Sequence, residues 1–420
     1  MPLWPQANKR QVTLKNNGDV KVDLLTPIYD EDRLHPSFKR LLSARTLRPG
    51  RLQIEECAKH YDDQDGNFVE QFQTTGFDAR TFELYVNELL RSEGFLHTEK
   101  LAYPDFHVSK SGVEVAIECT TANPTQTGKS EIKAYNPINS KDADIDDLVQ
   151  RLLADAPIQI ASPLFSKLNK RFGETPYWEL PSVKNKPFIL AIQTFHEDGS
   201  LAFSSTVLAG YLYGIQQTPD WDENGKLIIN THELKEHKGK KKTIPTGYFD
   251  LPDSENISAI LWTNAGTIPK FVRMGLQGNY PDKDMTALRW GNRYDYDPNA
   301  HAPAPFMHFV GSKRAPRETW GQEAVLFHNP NALIPVPYGL FESVSESIYE
   351  EDRPVDYLKS DFAPYFSMTQ FFDDANHRQN ALKFGKTMWQ VLKATNQIQN
   401  MKDSNPLWDR IKEQVAKDSN

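Results

Sequence analysis

The alternation of apolar and polar positions over residues 103–120 predicts a β-hairpin. Ser111-Gly112 lies between the two halves as a two-residue turn, in which glycine readily takes the positive φ that such turns require. Polar residues occupy the other face of both strands, so the hairpin has one apolar and one polar face. The apolar face is formed by Phe106, Val108, Val113, Val115, Ile117 and Cys119.

The polar face of this hairpin carries two carboxylates in register. If Lys110 pairs with Val113 across the turn, Asp105 lies directly opposite Glu118, with their Cβ atoms roughly 4.5–5.5 Å apart. Like charges at this separation repel, and a hard divalent cation such as Mg²⁺ offsets the repulsion by binding one or two carboxylates. The alternatives are a solvated face whose carboxylates point into water, or a pairing shifted by one residue that separates them.

The segment before the hairpin predicts an amphipathic helix from Phe77 to Gly94, followed by a first strand at residues 95–98. Glu83 lies beside the apolar stripe of this helix and is expected to lean toward the sheet. The stripe is formed by Phe82, Tyr85, Val86, Leu89 and Leu90. The predicted order is a helix with a glutamate, a strand, and then a hairpin carrying two more carboxylates.

In this order the chain resembles the PD-(D/E)XK nuclease superfamily over roughly residues 77–196. Pro104-Asp105 matches the PD element, Glu118-Cys119-Thr120 matches the (D/E)XK element, and Glu83 matches the helix carboxylate of many members. The resemblance implies a restriction-endonuclease-like α/β core, in which a mixed central sheet is flanked by helices. It also implies that Asp105, Glu118 and the carbonyl of Cys119 bind the metal, with Glu83 completing or orienting the ligands.

The chain departs from the family at Thr120, where the motif has lysine. Threonine carries no positive charge, so either the site is inactive or another residue supplies the cation. Some families of this fold place the lysine on the helix after the core strands. Residues 163–172 predict such a helix, with Pro163 near its start and Leu164, Leu168 and Phe172 facing inward.

Three basic residues of this predicted helix are candidates for the missing cation and for contacts to nucleic acid. Lys167 is the candidate substitute for the motif lysine and Lys170 is the reserve, while Lys170 and Arg171 are the candidate nucleic-acid contacts. The alternative is that all three form the solvated face of an amphipathic helix.

The resemblance implies an enzyme, a Mg²⁺- or Mn²⁺-dependent endonuclease that hydrolyses phosphodiester bonds in DNA; defence against foreign DNA would follow by analogy alone. A second hypothesis, prompted by Thr120, is a catalytically inactive nuclease-like module that binds nucleic acid or a protein. A third is a nucleotide-binding enzyme using Lys129, since Gly128-Lys129-Ser130 matches the end of a P-loop. In that loop Asn123 replaces the first glycine, and Pro124 lacks a backbone donor.

Composition excludes some other classes of protein. The chain has 420 residues, of which 25% are charged and 39% hydrophobic, as in ordinary soluble proteins. A net charge of −8 disfavours general nucleic-acid packaging but not a nuclease, whose site is acidic. With two cysteines, Cys57 and Cys119, and no apolar run of signal-peptide or membrane-span length, we expect a cytoplasmic protein without membrane contact. The sequence leaves the oligomeric state open, and a dimer is compatible with it.

Three regions are expected: an N-terminal arm or cap (1–60), the nuclease-like core (61–216) and a C-terminal α+β extension (217–420). Within the core we predict a long polar loop (121–144), a helix at 145–154, a central strand at 187–195 and a helix at 201–216. Gln193 in this strand either hydrogen-bonds a buried backbone group, as we favour, or reaches toward the site. The extension is expected to hold strands at 257–264, 270–274 and 324–328, and a helix within 371–392. Its aromatic rings either offer stacking faces to single strands or unpaired bases or, as we favour, fill the core of a small β-rich part. These rings are Trp262, Trp290, Trp320, Tyr280, Tyr294 and Tyr296.

Overall fold

The computed structural model describes residues 23–63, 66–99, 101, 103–123, 151–195, 205–239, 242–399 and 413, which form an α/β fold. Helices are α1 Pro36–Ser43, α2 Arg48–Ala58, α3 Phe68–Gln73, α4 Phe77–Ser92, α5 Ala156–Leu168, α6 Ser205–Tyr213, α7 Ile268–Gln277 and α8 His377–Gln399. A π-helical turn, Arg151–Asp155, precedes α5. Short 3₁₀ turns include Arg45–Leu47, Tyr177–Glu179, Tyr248–Asp250 and Ser254–Asn256.

The strands form one large sheet and several small ones. The first ten are β1 Leu96–His97, β2 Phe106–Lys110, β3 Val113–Ala122, β4 Arg171–Phe172, β5 Thr175–Pro176, β6 Phe188–Thr194, β7 Ile215–Trp221, β8 Leu227–Glu233, β9 Glu236–Lys238 and β10 Thr243–Pro245. The others are β11 Ala259–Thr263, β12 Thr286–Arg293, β13 Ala304–Phe309, β14 Ala324–His328, β15 Ser345–Glu350, β16 Arg353–Tyr357 and β17 Pro364–Phe372.

The eight-stranded central sheet is mixed, with the order β1-β2-β3-β6-β11-β14-β15-β16. Strands β3, β6 and β11 run parallel to one another, whereas β1-β2-β3 form an antiparallel meander. Side chains of β6 are buried on both faces, as expected for a central strand with helices on either side of the sheet. The sheet thus joins strands from the expected core and from the expected extension.

Two apolar layers cover the two faces of the sheet. One contains α4 together with Ile117 and Ile189, and the other contains α5 and α6 together with Ala116 and Leu190. The alternation of neighbouring residues between layers follows the period of two along each strand. Helix α4 is fixed in the first layer by the predicted stripe, whose five members are all completely buried.

Several predicted elements are confirmed, including α4, the hairpin β2–β3, the central strand β6, and strands β11 and β14. Gln193 does bond buried backbone, through both N–H and C=O of Gly266. The core interpretation of the aromatic rings holds for Trp262, Trp290 and Trp320, which are buried. It does not hold for the tyrosines, since Tyr280 and Tyr294 are half-buried and Tyr296 is 50% exposed. The predicted loop from residue 124 onward, the helix from residue 145 to 150, and Lys129 lie outside the described residues.

Two predicted elements are wrong in type or position. Residues 270–274 belong to α7 and not to a strand, because Pro269 opens an amphipathic helix whose period is set by packing on α2. The helix expected at 163–172 begins at Ala156 and ends at Leu168, so Pro163 lies inside it. Lys170 and Arg171 therefore lie beyond the helix end, and only Lys167 of the three basic residues is helical.

Residues 371–392 also differ in part from expectation, because β17 continues to Phe372 and α8 begins only at His377. Among the described residues no helix combines the length and the hydropathy needed to cross a bilayer.

Candidate functional site

The register of the β2–β3 hairpin brings two acidic positions together. Lys110 pairs with Val113 and Phe106 pairs with Ile117, as predicted. Asp105, the residue before Phe106, and Glu118, the residue after Ile117, lie just beyond that last pair, and the Glu118 charge acts on Asp105. Ser111 and Gly112 form the turn with φ values of 53° and 81°. Positive φ at both turn residues is the geometry of a tight two-residue hairpin, which fixes the register of the whole pair.

Asp105 immediately precedes β2 and is anchored to the neighbouring strand β3. Its Oδ2 accepts a hydrogen bond of 2.6 Å from the backbone N–H of Cys119. Burial raises the pKa of Asp105 well above its ordinary value, and the nearby carboxylates of Glu118 and Glu83 raise it further, against the opposing effects of Cys119 N–H and Lys167. The three carboxylates therefore act on one another at short range.

Glu118, on β3, is 3% exposed and receives two donors on one oxygen. The Lys167 ammonium, from α5, and the Tyr177 hydroxyl, at 2.7 Å, both donate to Glu118 Oε1. Its other oxygen, Oε2, is buried without a hydrogen-bond partner among the described residues. An unsatisfied buried carboxylate oxygen is costly, so this atom is a position at which a ligand would gain binding energy.

Glu83 reaches the same region from α4 and is held by two other side chains. The Arg80 guanidinium, one turn earlier, donates at 2.5 Å to Glu83 Oε2, and the Tyr61 hydroxyl donates at 3.2 Å. Burial raises the pKa of Glu83, Arg80 and Tyr61 lower it, and Glu118 raises it. We call Glu83, Asp105 and Glu118 the carboxylate site.

A small cavity of about 250 Å³ opens beside this site. It is lined by Ala79, Phe82, Glu83, Cys119, Thr120, Thr121 and Asn123. Thr120, which stands where the family has lysine, is half-buried in its wall. A substrate group that enters here would meet Thr120 of β3 and, from α4, the carboxylate of Glu83.

Lys167 lies next to Glu118, to which its ammonium donates a hydrogen bond. Burial lowers the pKa of Lys167, but the adjacent Glu118 carboxylate outweighs burial, and the pKa is raised overall. The ammonium therefore stays protonated at neutral pH, as a hydrogen-bond donor and not as a base.

The other two basic residues are engaged elsewhere. Lys170 lies 5.2–5.4 Å from the centroids of three aromatic rings, Tyr103, Phe172 and Tyr177. Arg171 lies over the Trp178 ring and forms an ion pair of 3.4 Å with Asp253. Lys170 thus packs against the ring of Tyr177, whose hydroxyl contacts Glu118, whereas Arg171 makes contacts outside the site.

The donor set fits a hard cation that keeps part of its water shell. No cluster of three or more His, Cys, Asp or Glu side chains forms a ready cage anywhere in the described ranges. Mg²⁺ does not require such a cage, because it binds through one or two carboxylates together with waters and substrate oxygens. Glu118 Oε2, without a partner, and Asp105, crowded by two other carboxylates, provide that smaller set.

Sequence reasoning missed two tyrosines and an arginine that contact the carboxylates. Tyr177 is 59 positions from Glu118, and Tyr61 is 22 positions from Glu83. Neither tyrosine belongs to a motif. Arg80 was identifiable in principle, since it lies three residues before Glu83 on a predicted helix and such pairs face each other.

Comparisons with known proteins leave the site to be interpreted from its own geometry: no protein-family model matches the chain, nor does any curated protein or solved structure.

Proposed function

We propose that the protein is a metal-dependent nuclease with a restriction-endonuclease-like core, and that it hydrolyses phosphodiester bonds in DNA. The observation that carries this proposal is the contact at the end of the β2–β3 ladder, where Asp105 accepts a hydrogen bond from Cys119 N–H, next to Glu118, and one buried oxygen of Glu118 has no partner among the described residues. The order of α4, the β1-β2-β3 meander, α5 and the parallel strand β6 supports the fold assignment.

In this proposal Asp105, Glu118 and the Cys119 carbonyl hold Mg²⁺ or Mn²⁺. When bound, the metal supplies Lewis-acid stabilisation of the charge that develops on the phosphodiester group. Glu83 stays fixed by Arg80 and Tyr61 and orients the water around the other two carboxylates. Burial and the neighbouring carboxylates raise the pKa of Asp105 and of Glu83, and a cation between Asp105 and Glu118 would relieve this repulsion.

Lys167 takes the place of the motif lysine. Because it remains protonated beside Glu118, it donates hydrogen bonds to a water or to a phosphate oxygen and does not remove a proton. Its side chain is 20% exposed, which leaves the ammonium open to a ligand from one side. Thr120 then has no charge to supply and contributes only a hydroxyl to the cavity wall.

The direct test is cleavage of plasmid DNA with Mg²⁺ or Mn²⁺, with EDTA as the metal-free control. We expect Asp105→Asn and Glu118→Gln to lower the rate more than about 100-fold, beyond the roughly 10–100-fold typical of residues that only support a ligand. Glu114→Gln is the matched control, because Glu114 lies on the same strand, is 51% exposed and pairs with Lys186. Equal cleavage by all four proteins would contradict the proposal.

A second candidate, an inactive nuclease-like module, is favoured by two observations: Glu118 is already neutralised by Lys167, and Thr120 stands at the position of the motif lysine. In that case the purified protein binds DNA or a protein without binding Mn²⁺ and without cleaving. Mn²⁺ titration followed by electron paramagnetic resonance separates the two candidates, since only the enzyme depletes the free-ion signal.

A further inference from the structure

A second, larger cavity of about 560 Å³ lies between the central sheet and the three-stranded sheet β13-β12-β17. Its volume falls in the range of about 300–1,000 Å³ that is typical of small-molecule sites. One wall is the inner face of β17, with Tyr365, Ser367 and Thr369, and the opposite wall follows the ends of β6 and β11, with Phe195 and Asn264. We call it the inter-sheet cavity.

Aromatic rings supply much of the wall of this cavity. Tyr294 and Tyr365, with ring centroids 6.0 Å apart, lie on one side, and Trp262 and Phe195 lie on the other. Residues of β17 that line the cavity are half-buried, although the strand is paired with β12 along its length. Tyr294 and Tyr365 are half-buried, whereas Trp262 and Phe195 are only 2% and 7% exposed. The tyrosine side of the cavity is therefore the side on which a planar ligand could stack.

The charged groups in the wall differ in whether they are already paired. Arg273 binds Glu318 through two bonds of 2.8 Å, and Lys359 lies 2.7 Å from Glu346. Asp78, in the first turn of α4, has no hydrogen bond or ion pair with any described residue. Burial raises the pKa of Asp78 to about 6, so this carboxyl can accept or donate a hydrogen bond near neutral pH.

The inter-sheet cavity and the carboxylate site share α4 and one edge of the central sheet. Phe77, Asp78 and Thr81 of α4 line the cavity, whereas Glu83 belongs to the site five residues on, about 7.5 Å along the helix axis. Between them Phe82 packs on Gly266, where an added Cβ would lie 3.0 Å from the ring and 2.5 Å from Gln193 Oε1. Only glycine therefore fits at position 266, between the inter-sheet cavity and the carboxylate site.

We propose that the inter-sheet cavity binds a nucleobase, stacked on the rings around Tyr365 and read by Asp78. A base offers a planar face for stacking and, in adenine, guanine and cytosine, an amino group that a carboxylate accepts. The base belongs either to a free nucleoside or nucleotide, or to a nucleotide extruded from DNA bound at the neighbouring site. The inference rests on the proposed nuclease function for its choice of a nucleic-acid component.

The test measures binding in EDTA, where no cleavage occurs, with two kinds of probe. Calorimetric titration with adenosine, guanosine, cytidine, thymidine and their 5′-monophosphates detects a free ligand. DNA containing 2-aminopurine, which brightens when it leaves the base stack, detects an extruded base. Saturable binding of a nucleoside or nucleotide identifies a free ligand, and a fluorescence rise alone identifies extrusion.

Variants assign the signal to the cavity. Tyr365→Leu removes a stacking face and Asp78→Asn removes the carboxyl, and each is expected to weaken the observed binding about tenfold. Tyr338→Leu is the matched control, because Tyr338 is 66% exposed and does not line the cavity. Circular dichroism checks that all three variants are folded.

Two results would overturn the inference: no binding and no fluorescence change with any probe, or binding that both cavity variants leave unchanged. Neither result affects the nuclease proposal, which depends on metal-dependent cleavage. Conversely, base binding in EDTA by a protein that does not cleave would keep this inference and reject the nuclease.

Discussion

Glu118 is the residue whose surroundings constrain the site most strongly. A buried carboxylate is stable only when charge and hydrogen bonds compensate for lost solvation. Lys167 and Tyr177 provide this compensation at Oε1, while Oε2 has none within the described part of the chain. Such asymmetry is unusual for a purely structural ion pair, in which both oxygens are normally satisfied.

Replacement of Tyr177 by phenylalanine tests this description of Glu118. Tyr177→Phe removes a hydrogen bond to a charged group, and we expect a loss of about 1.5–3 kcal/mol in the free energy of unfolding. Tyr248→Phe is the control, because Tyr248 is equally buried but donates to a neutral carbonyl, Leu164 O, at 3.3 Å. Its expected loss is about 0.5–1.5 kcal/mol. Urea unfolding measures both, and an equal or smaller loss in Tyr177→Phe would contradict the account.

The buried His237, on β9, should make the stability of the protein depend on pH, independently of the carboxylate site. Burial lowers its pKa from 6.5 to about 4, and its Nε2 has no partner among the described residues. Since the folded pKa lies below the unfolded one, the folded protein resists protonation. The stability from neutral His237 is therefore complete above about pH 6.5 and is lost as pH falls toward 4.

On acidification from pH 7.5 to pH 5, protonation of His237 alone should lower the free energy of unfolding by about 2 kcal/mol. His237→Gln should remove that part of the pH dependence, as measured by urea unfolding at both pH values. His60→Gln, at a residue whose side chain is 43% exposed, should leave it intact. If acidification lowers the free energy of unfolding equally in His237→Gln and in the unmodified protein, the conclusion that His237 is buried in its neutral form is wrong.

Single-residue roles were only partly predictable from the sequence. Motif spacing and strand register connect residues that lie close in sequence or follow one another in a fixed order of elements. These patterns identified Asp105, Glu118, Glu83 and Lys167 as candidates. Tyr177 was not identified, because it approaches Glu118 only through the packing of the segment after α5. Contacts of that kind depend on tertiary structure, which no local period encodes.

The hairpin β2–β3 is the element that creates the site, and its turn is the most direct way to alter it. Ser111 adopts φ of 53°, a conformation that asparagine tolerates better than serine. We expect Ser111→Asn to stabilise the protein by about 0.5 kcal/mol and Gly112→Ala to destabilise it by about 1 kcal/mol. No atom lies within 4 Å of an added Cβ at Gly112, so the cost there comes from φ alone.

Thermal unfolding of the two turn variants provides the measurement. Gly50→Ala would be a poor comparison, since a Cβ there meets Val272 at 2.6 Å and tests packing. Gly339→Ala is a suitable one, because Gly339 also has positive φ and open space around it, but lies outside the hairpin. Stabilisation by Gly112→Ala would exclude the observed turn and with it the register of Asp105 and Glu118.

Elements with a clear period were predicted well, and those whose period is broken by proline were not. The stripe of α4 and the alternation of β2 and β3 each repeat over two or more turns or pairs, so their type and register were both predicted correctly. Pro163 was taken as a helix start because proline is favoured there. In α5 it lies in the interior, where apolar packing of Ile160 and Leu164 outweighs the lost hydrogen bond.

Across the whole molecule, a buried charge cluster joins the two sheets. Glu318 contacts Arg273 and Lys270 of α7 at 2.8 Å and Arg289 of β12 at 3.3 Å. Glu323 accepts a further bond of 2.8 Å from Arg289. This cluster connects α7 with β12, the middle strand of the small sheet, and two of its members, Arg273 and Glu323, line the inter-sheet cavity.

Removing the central charge of this cluster should be severely destabilising. Glu318→Gln leaves three buried cations with one carboxylate, and breaking such pairs costs about 3–5 kcal/mol. Burial alone would raise the pKa of Glu318, but the three cations lower it well below 4.5. Its contribution is therefore present above about pH 4.5 and is lost as pH falls below that value.

Urea unfolding at pH 7 measures the loss of unfolding free energy. Glu350→Gln is the control, because Glu350 is exposed and, among the described residues, its contacts are to β16, through the Tyr357 hydroxyl and the backbone pairing with Arg353. A loss below about 1 kcal/mol for Glu318→Gln, the range of an exposed pair, would show that the cluster does not hold the sheets together.

The most direct test of the central claim, that Asp105 and Glu118 share a cation, is a crystal structure soaked with Mn²⁺ and measured at a wavelength where manganese scatters anomalously. The account predicts one anomalous peak within roughly 2.1 Å of an oxygen of each carboxylate, and no peak there in Asp105→Asn. Carboxylates that point to opposite sides of the sheet, or a peak bound elsewhere with none between them, would contradict it.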